Sequence, residues 1–175
     1  MNTNQRLTKH LFLAIMIALD VILSPILRIE GMAPMSSVMN ILAASLMGGP
    51  YTLLMALLCG IIRMVLLGIP PLALTGAVFG AYLAGTLFQR HQHILWTALG
   101  EIIGTGLIGS LLSYPVMVWF TGTKSDLFWW VYTPRFVGAS LMGSVAAYLI
   151  YQQLSKISKF KQSVNFKYKL ATSGN

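Results

Sequence analysis

Tyr51-Thr-Leu-Leu-Met-Ala-Leu-Leu-Cys-Gly-Ile-Ile-Arg-Met-Val-Leu-Leu67 holds seventeen residues and one charge, and it lies between two clusters of chain breakers, Gly48-Gly49-Pro50 and Gly68-Ile69-Pro70-Pro71. At about 1.5 Å of rise per residue, a helix of this length reaches most of the way across roughly 30 Å of hydrocarbon. The segment is apolar on nearly every side, so no face is set aside for water. Such a surface belongs in lipid, where a helix satisfies its own backbone hydrogen bonds.

The same pattern repeats on both sides of this run. Leu7 to Leu27 is apolar and meets Pro25 near its end. The breaker-rich loop Arg28-Ile-Glu-Gly-Met-Ala-Pro-Met35 leads into a short span, 36–48, for which Ser36 or Ser37 is available as N-cap. After the Pro70-Pro71 break come 72–88, a polar loop 89–93, the long run 94–120, a second polar loop, and 131–151. Six spans are therefore predicted, at about 7–27, 36–48, 51–67, 72–88, 94–120 and 131–151, in one membrane domain (1–155) with a basic tail (156–175). The cationic start before a full-length apolar run reads as a retained first helix rather than a cleaved signal.

Composition points the same way. Of 175 residues, 56% are hydrophobic and 9% charged, where a soluble domain carries about 25% charged residues. The mean hydropathy is +0.72. Six spans put both termini on one side. The N-terminus, the Arg90 loop and the tail carry two, one and five Lys/Arg, whereas the opposite loops carry Arg28 and Lys124, each near an acid. The cationic side is cytoplasmic. The expected fold is thus an all-α integral membrane protein, a six-transmembrane-helix bundle with both termini cytoplasmic. The formal charge of +8 is an orientation signal with affinity for anionic lipid, not a nucleic-acid footprint. Phe128, Trp129, Trp130 and Tyr132 fit an outer interfacial belt.

Several chemistries are missing. The chain has no GxxxxGK[ST], HExxH or GxSxG, and its single cysteine, Cys59, sits in an apolar run as a small packing residue. His10, His91 and His93 fall at cytoplasmic ends and loops, where they read as solvated side chains. No enzyme activity, cofactor or metal is expected. Binding and movement remain.

Four charges lie inside apolar spans: Asp20, Arg63, Glu101 and Arg135. Each costs roughly 2.5–3.5 kcal/mol in hydrocarbon unless it meets a partner, a cavity or a ligand. Depths counted along the helices place Asn40, Arg63, Thr75, Tyr114 and Arg135 in the outer half, with Glu101 deeper as a floor or a helix-pairing group. This is the layout of an outward-facing pocket, apolar walls with a few fixed polar groups. The alternatives are snorkelling of Arg63 and Arg135 to the interface, and interhelical hydrogen bonds for Asn40 and Thr75. Small residues recur four apart: Ala14/Ala18, Gly76/Gly80, Gly100/Gly104 and the ladder Ala139/Gly143/Ala147. Most suit packing within the bundle, and Ala14/Ala18 is the pair best placed to face another protein.

The stretches Met39-Asn-Ile-Leu-Ala-Ala44, Gly49-Pro-Tyr51, Ile62-Arg-Met64, Gly68-Ile-Pro-Pro-Leu-Ala-Leu-Thr-Gly-Ala-Val-Phe-Gly-Ala81, Gly100-Glu-Ile-Ile-Gly-Thr-Gly106 and Ser113-Tyr-Pro-Val116 resemble the ThiW family. These are substrate-capture (S) components of energy-coupling-factor (ECF) vitamin transporters. The resemblance covers the second to fifth spans. It implies a prokaryotic cell membrane, a membrane coupling protein and two ATPase subunits as partners, and a coupling-protein contact at Ala14 and Ala18. It also implies uptake of a thiamine precursor, the hydroxyethylthiazole moiety, hydrogen-bonded by residues such as Asn40, Arg63, Thr75 or Tyr114. Where many relatives carry a histidine three residues before the asparagine, this chain has Ser37. A pyrimidine precursor, thiamine itself, or a stand-alone carrier or channel are the alternatives.

Overall fold

The computed structural model describes residues 3–28, 32–122, 130 and 132–156. These form six helices: α1 (Thr3–Ile26), α2 (Pro34–Met47), α3 (Gly49–Leu67), α4 (Leu72–His91), α5 and α6 (Thr133–Ser155). Helix α5 is continuous through three segments, α-helical at Ile94–Glu101, π-helical at Ile102–Gly109 and α-helical again at Ser110–Thr121. Helices α1, α3, α4 and α5 are each long and apolar enough to cross a membrane, and α2 is a shorter apolar helix.

Helix α4 is the central post. It packs against α2, α3 and α5, while α1 leans on α2 and α3, and α6 on α2 and α5. The small-residue stripes explain the tight crossings. A Cβ on Gly100 would lie 2.7 Å from the Leu83 carbonyl, and one on Gly109 would lie 2.7 Å from the Gly76 Cα. A Cβ on Gly143 of α6 would lie 2.6 Å from the Ser37 Cβ on α2. Backbones this close exclude lipid without large side chains, and dispersion takes over the role that hydrophobicity plays in water. Ala139, Gly143 and Ala147 are buried inside the bundle.

Helix ends differ from the predicted ones in instructive ways. Helix α2 starts at Pro34 with Ala33 as N-cap and no side-chain cap, so neither Ser36 nor Ser37 caps it. The fixed φ of Pro34 opens the helix a turn earlier, and both serines turn inward. Helix α4 runs on to His91, so the first three residues of the expected loop 89–93 are helical. Gln92, at φ 52°, then ends the helix. Helices α1 and α6 likewise extend past the apolar runs, because apolarity marks contact with lipid, not the limit of helical hydrogen bonding. Helix α3 closes as expected at Gly68, whose φ of 62° is a left-handed conformation that glycine adopts without strain, and both Gly68 and Ile69 donate to the Arg63 carbonyl. That cap leaves Arg63 about one turn short of the helix end.

Candidate functional site

Two of the four intramembrane charges pair directly. Arg63 on α3 donates from Nη2 to Asp20 Oδ2 of α1 at 2.9 Å, and both side chains are almost fully buried. The same nitrogen lies 3.3 Å from Ser36 Oγ of α2, and Nε reaches back to the Cys59 carbonyl at 3.4 Å. Ser24 donates to the other oxygen of Asp20 at 2.5 Å. Three helices are thus pinned at one point. A buried ion pair repays its desolvation only when the remaining donors and acceptors are also met, and here Ser24 and Ser36 supply those bonds. Arg63 does not snorkel; it is held in place.

Glu101 is 0% exposed and has a different setting. Asn40 Nδ2 donates to both of its oxygens at 3.2 Å, and also to the Ala77 carbonyl at 3.2 Å. Thr105, one turn on along α5, offers its hydroxyl to Glu101 Oε1 at 2.8 Å and to the Gly76 carbonyl at 3.1 Å. Among the described residues no cation lies within ion-pair distance of Glu101. The carboxyl is ringed by donors from two helices, and the widened π segment begins one residue beyond it. Such segments are rare and cluster at functional sites.

Between these two centres lies a small cavity, partly continuous with solvent. It opens among the end of α1, the starts of α2, α4 and α6, and the last turns of α3. Arg63, Glu101 and Thr105 give its inner polar groups; Arg28 and Arg135, both exposed, flank it; and Met32 and Phe136 add apolar wall. The Phe136 ring lies over Gly76, where a Cβ would approach within 3.0 Å of Cδ1.

Of the residues singled out from sequence, Arg63, Glu101 and Arg135 therefore share one hollow. Asn40 stands behind Glu101 and orients it. Thr75 is engaged elsewhere on the α4–α5 contact, 2.6 Å from Ser113 Oγ and 3.0 Å from the Leu72 carbonyl. Tyr114 follows Ser113 on α5 and is half-buried. Phe128, Trp129, Lys124 and most of the basic tail lie outside the described residues, whereas Trp130 is 63% exposed. Sequence reasoning left Ser36 as a helix cap and Arg28 as a loop cation, and placed neither them nor Thr105 and Phe136 in the site. Thr105 was within reach of it, since i and i+4 share a helix face and Glu101 marks that face.

The fold and this cavity define a multi-pass membrane protein with a hollow at one end of its bundle, into which a few polar groups are set. The family model described as "Thiamine-precursor transporter protein (ThiW)" matches residues 11–157. The chain belongs to that family, and its role is transport of a thiamine precursor across a membrane. No curated protein and no solved structure shows a significant match to the chain.

Proposed function

We propose that the chain is the S component of an ECF importer in a prokaryotic cell membrane, capturing the hydroxyethylthiazole moiety from outside. The observation that carries this reading is the cavity itself, where a buried carboxyl and a buried guanidinium line one hollow at the end of an apolar bundle. In this reading α2 and α6 also cross the bilayer, giving six spans. The cationic N-terminal segment, Arg90 and Lys156 lie at the end of the bundle away from the cavity, so the positive-inside rule turns the cavity outward and both termini inward. Arg63, Glu101 and Arg135 contact the ligand directly. Asn40 acts through Glu101, and Thr75 and Tyr114 shape the α4–α5 wall beside it.

A ligand that binds only the folded protein raises its melting point by mass action. Hydroxyethylthiazole at about a hundred times its Kd is expected to raise the Tm of the purified chain by roughly 5–10 °C, with no ATP present. The pyrimidine precursor and thiamine, run in parallel, are expected to give smaller shifts. A flat response to all three, read by thermal shift in detergent, would end the reading.

The coupling protein and two ATPase subunits are the proposed partners, and α1 offers them a face. Leu13, Met16 and Asp20 of α1 are buried, whereas Ala14 and Ala18 are exposed among Leu11, Ile15, Leu19 and Ile22. Small residues on an outward face let a second membrane helix come close. Ala14→Trp and Ala18→Trp are expected to abolish co-purification with the coupling protein while leaving the Kd for ligand within about threefold. Unchanged assembly in both variants would move the interface off α1.

A further inference from the structure

We infer that Glu101 is a proton-binding site: near neutral pH its carboxyl carries a hydrogen and donates it to Thr105 Oγ1, whose own hydrogen goes to the Gly76 carbonyl of α4. The site stands on hydrogen positions and on charge, and it needs no ligand in the hollow.

Two oxygens at hydrogen-bonding distance need a hydrogen between them. Thr105 Oγ1 lies 2.8 Å from Glu101 Oε1 and 3.1 Å from the Gly76 carbonyl oxygen. A threonine hydroxyl has one hydrogen, and a carbonyl and an ionised carboxylate have none. With Glu101 ionised, one of the two contacts is a meeting of bare lone pairs. The amide of Asn40 cannot make up the shortfall, because its two hydrogens already face three acceptors at 3.2 Å, both Glu101 oxygens and the Ala77 carbonyl. Ser37 also hydrogen-bonds Glu101 from the wall of the hollow, and it adds no hydrogen to either Thr105 contact. One hydrogen on Glu101 Oε1 completes the set. Glu101 gives to Thr105, Thr105 gives to Gly76, and Asn40 keeps its bonds to Glu101 and Ala77.

Charge leads to the same place. Glu101 is 0% exposed, and a carboxyl buried in an apolar bundle without a counter-ion sheds its charge by taking up a proton. The charged groups near it are paired or lie in water. Arg63 of α3 is bonded to Asp20 of α1 at 2.9 Å, so the buried cation already has its anion. Arg28, which follows α1, and Arg135 of α6 edge the hollow and are exposed. None of the residues that α2 and α4 bring to the hollow titrates. The inner end of the hollow is then an uncharged acid. Losing its hydrogen would force Thr105 to choose between Glu101 and Gly76, and so would loosen the π segment, which holds Thr105, from α4.

The chain has only two glutamates, Glu30 and Glu101. Glu30→Gln made with carbon-13 carboxyl glutamate therefore carries one labelled side chain, and infrared spectra of the purified chain in lipid nanodiscs read its protonation directly. At about pH 6 a glutamate in water is almost fully ionised. Glu101 is expected to show its acid band there, roughly tenfold stronger than its carboxylate bands, and to lose it as the pH rises. Thr105→Val removes the acceptor, so the acid C=O band is expected to move to higher frequency, and Thr105→Ser to restore it. In the otherwise wild-type chain the same label reports both glutamates, and Glu101→Gln is expected to abolish the acid band, so the assignment does not hang on one variant folding. A carboxylate as the larger Glu101 signal at that pH would overturn the proton site. An acid band that Thr105→Val leaves in place would overturn the donation to Thr105. No ligand enters these spectra, so either failure leaves the transport reading as it stands.

Discussion

Asp20→Asn is expected to lower stability by roughly 3–5 kcal/mol, among the largest effects of any single substitution in the chain. The change keeps the size of the side chain but removes its charge and one of the two oxygens that accept from Ser24 and Arg63. Arg63 then remains buried at 3% exposure with a full positive charge and no counter-ion within reach among the described residues. Breaking a buried pair from one side costs more than the pair was worth, because the surviving charge keeps its desolvation penalty. Arg63 has no easy escape, since Nε and Nη2 are tied to α3 and α2 as well as to α1. The measurement is reversible unfolding in mixed micelles. Asp20→Asn combined with Arg63→Gln is expected to cost clearly less than the sum of the two single changes, the mark of a direct interaction. A loss below about 1 kcal/mol for Asp20→Asn would show that water or lipid headgroups, not Asp20, neutralise Arg63. Loss of Asp20 would also free the guanidinium that faces the cavity, so ligand affinity should fall even where the protein still folds.

Gly104→Val is expected to be of similar size, roughly 3 kcal/mol or more. A Cβ at this position would run into the Phe79 carbonyl and lie 2.7 Å from the Gly80 Cα, so it meets backbone rather than a side chain that could swing away. The two helices would have to separate along the contact that also carries Glu101 and Thr105. Ligand binding should therefore fall with stability. Gly106 gives the contrast on the same π segment. A Cβ there comes no closer than 3.2 Å, to Ser140 Oγ and Val137 Cγ2, which are side-chain ends. Gly106→Ala is expected to cost less than about 1 kcal/mol. Thermal melts of the two variants side by side test the pair. Equal effects would mean that the α4–α5 distance is not set by glycine.

These two substitutions also mark how far the sequence could be read. The alternation of apolar runs with Gly-Pro clusters made the helices legible, and the ends that moved did so for local reasons, such as Pro34 opening α2 early. The charges at 20, 63, 101 and 135 were conspicuous because lipid makes each one costly. Their pairing was not legible. Asp20 and Arg63 are 43 residues apart, and nothing in either span says that Asp20 and not Glu101 meets the guanidinium. Thr75 had the same polar character as Asn40 in the sequence, yet it bonds to Ser113 on the α4–α5 contact while Asn40 turns to Glu101.

By itself the sequence determined the environment and the elements, because hydropathy and breakers act over a few neighbouring residues and are paid in the same currency wherever the helix sits. Tertiary structure alone decided which of the polar groups satisfy each other and which of them line the cavity. That choice depends on how closely α4 and α5 approach and how each helix is turned about its axis, and those are set by glycine contacts between segments far apart in the chain.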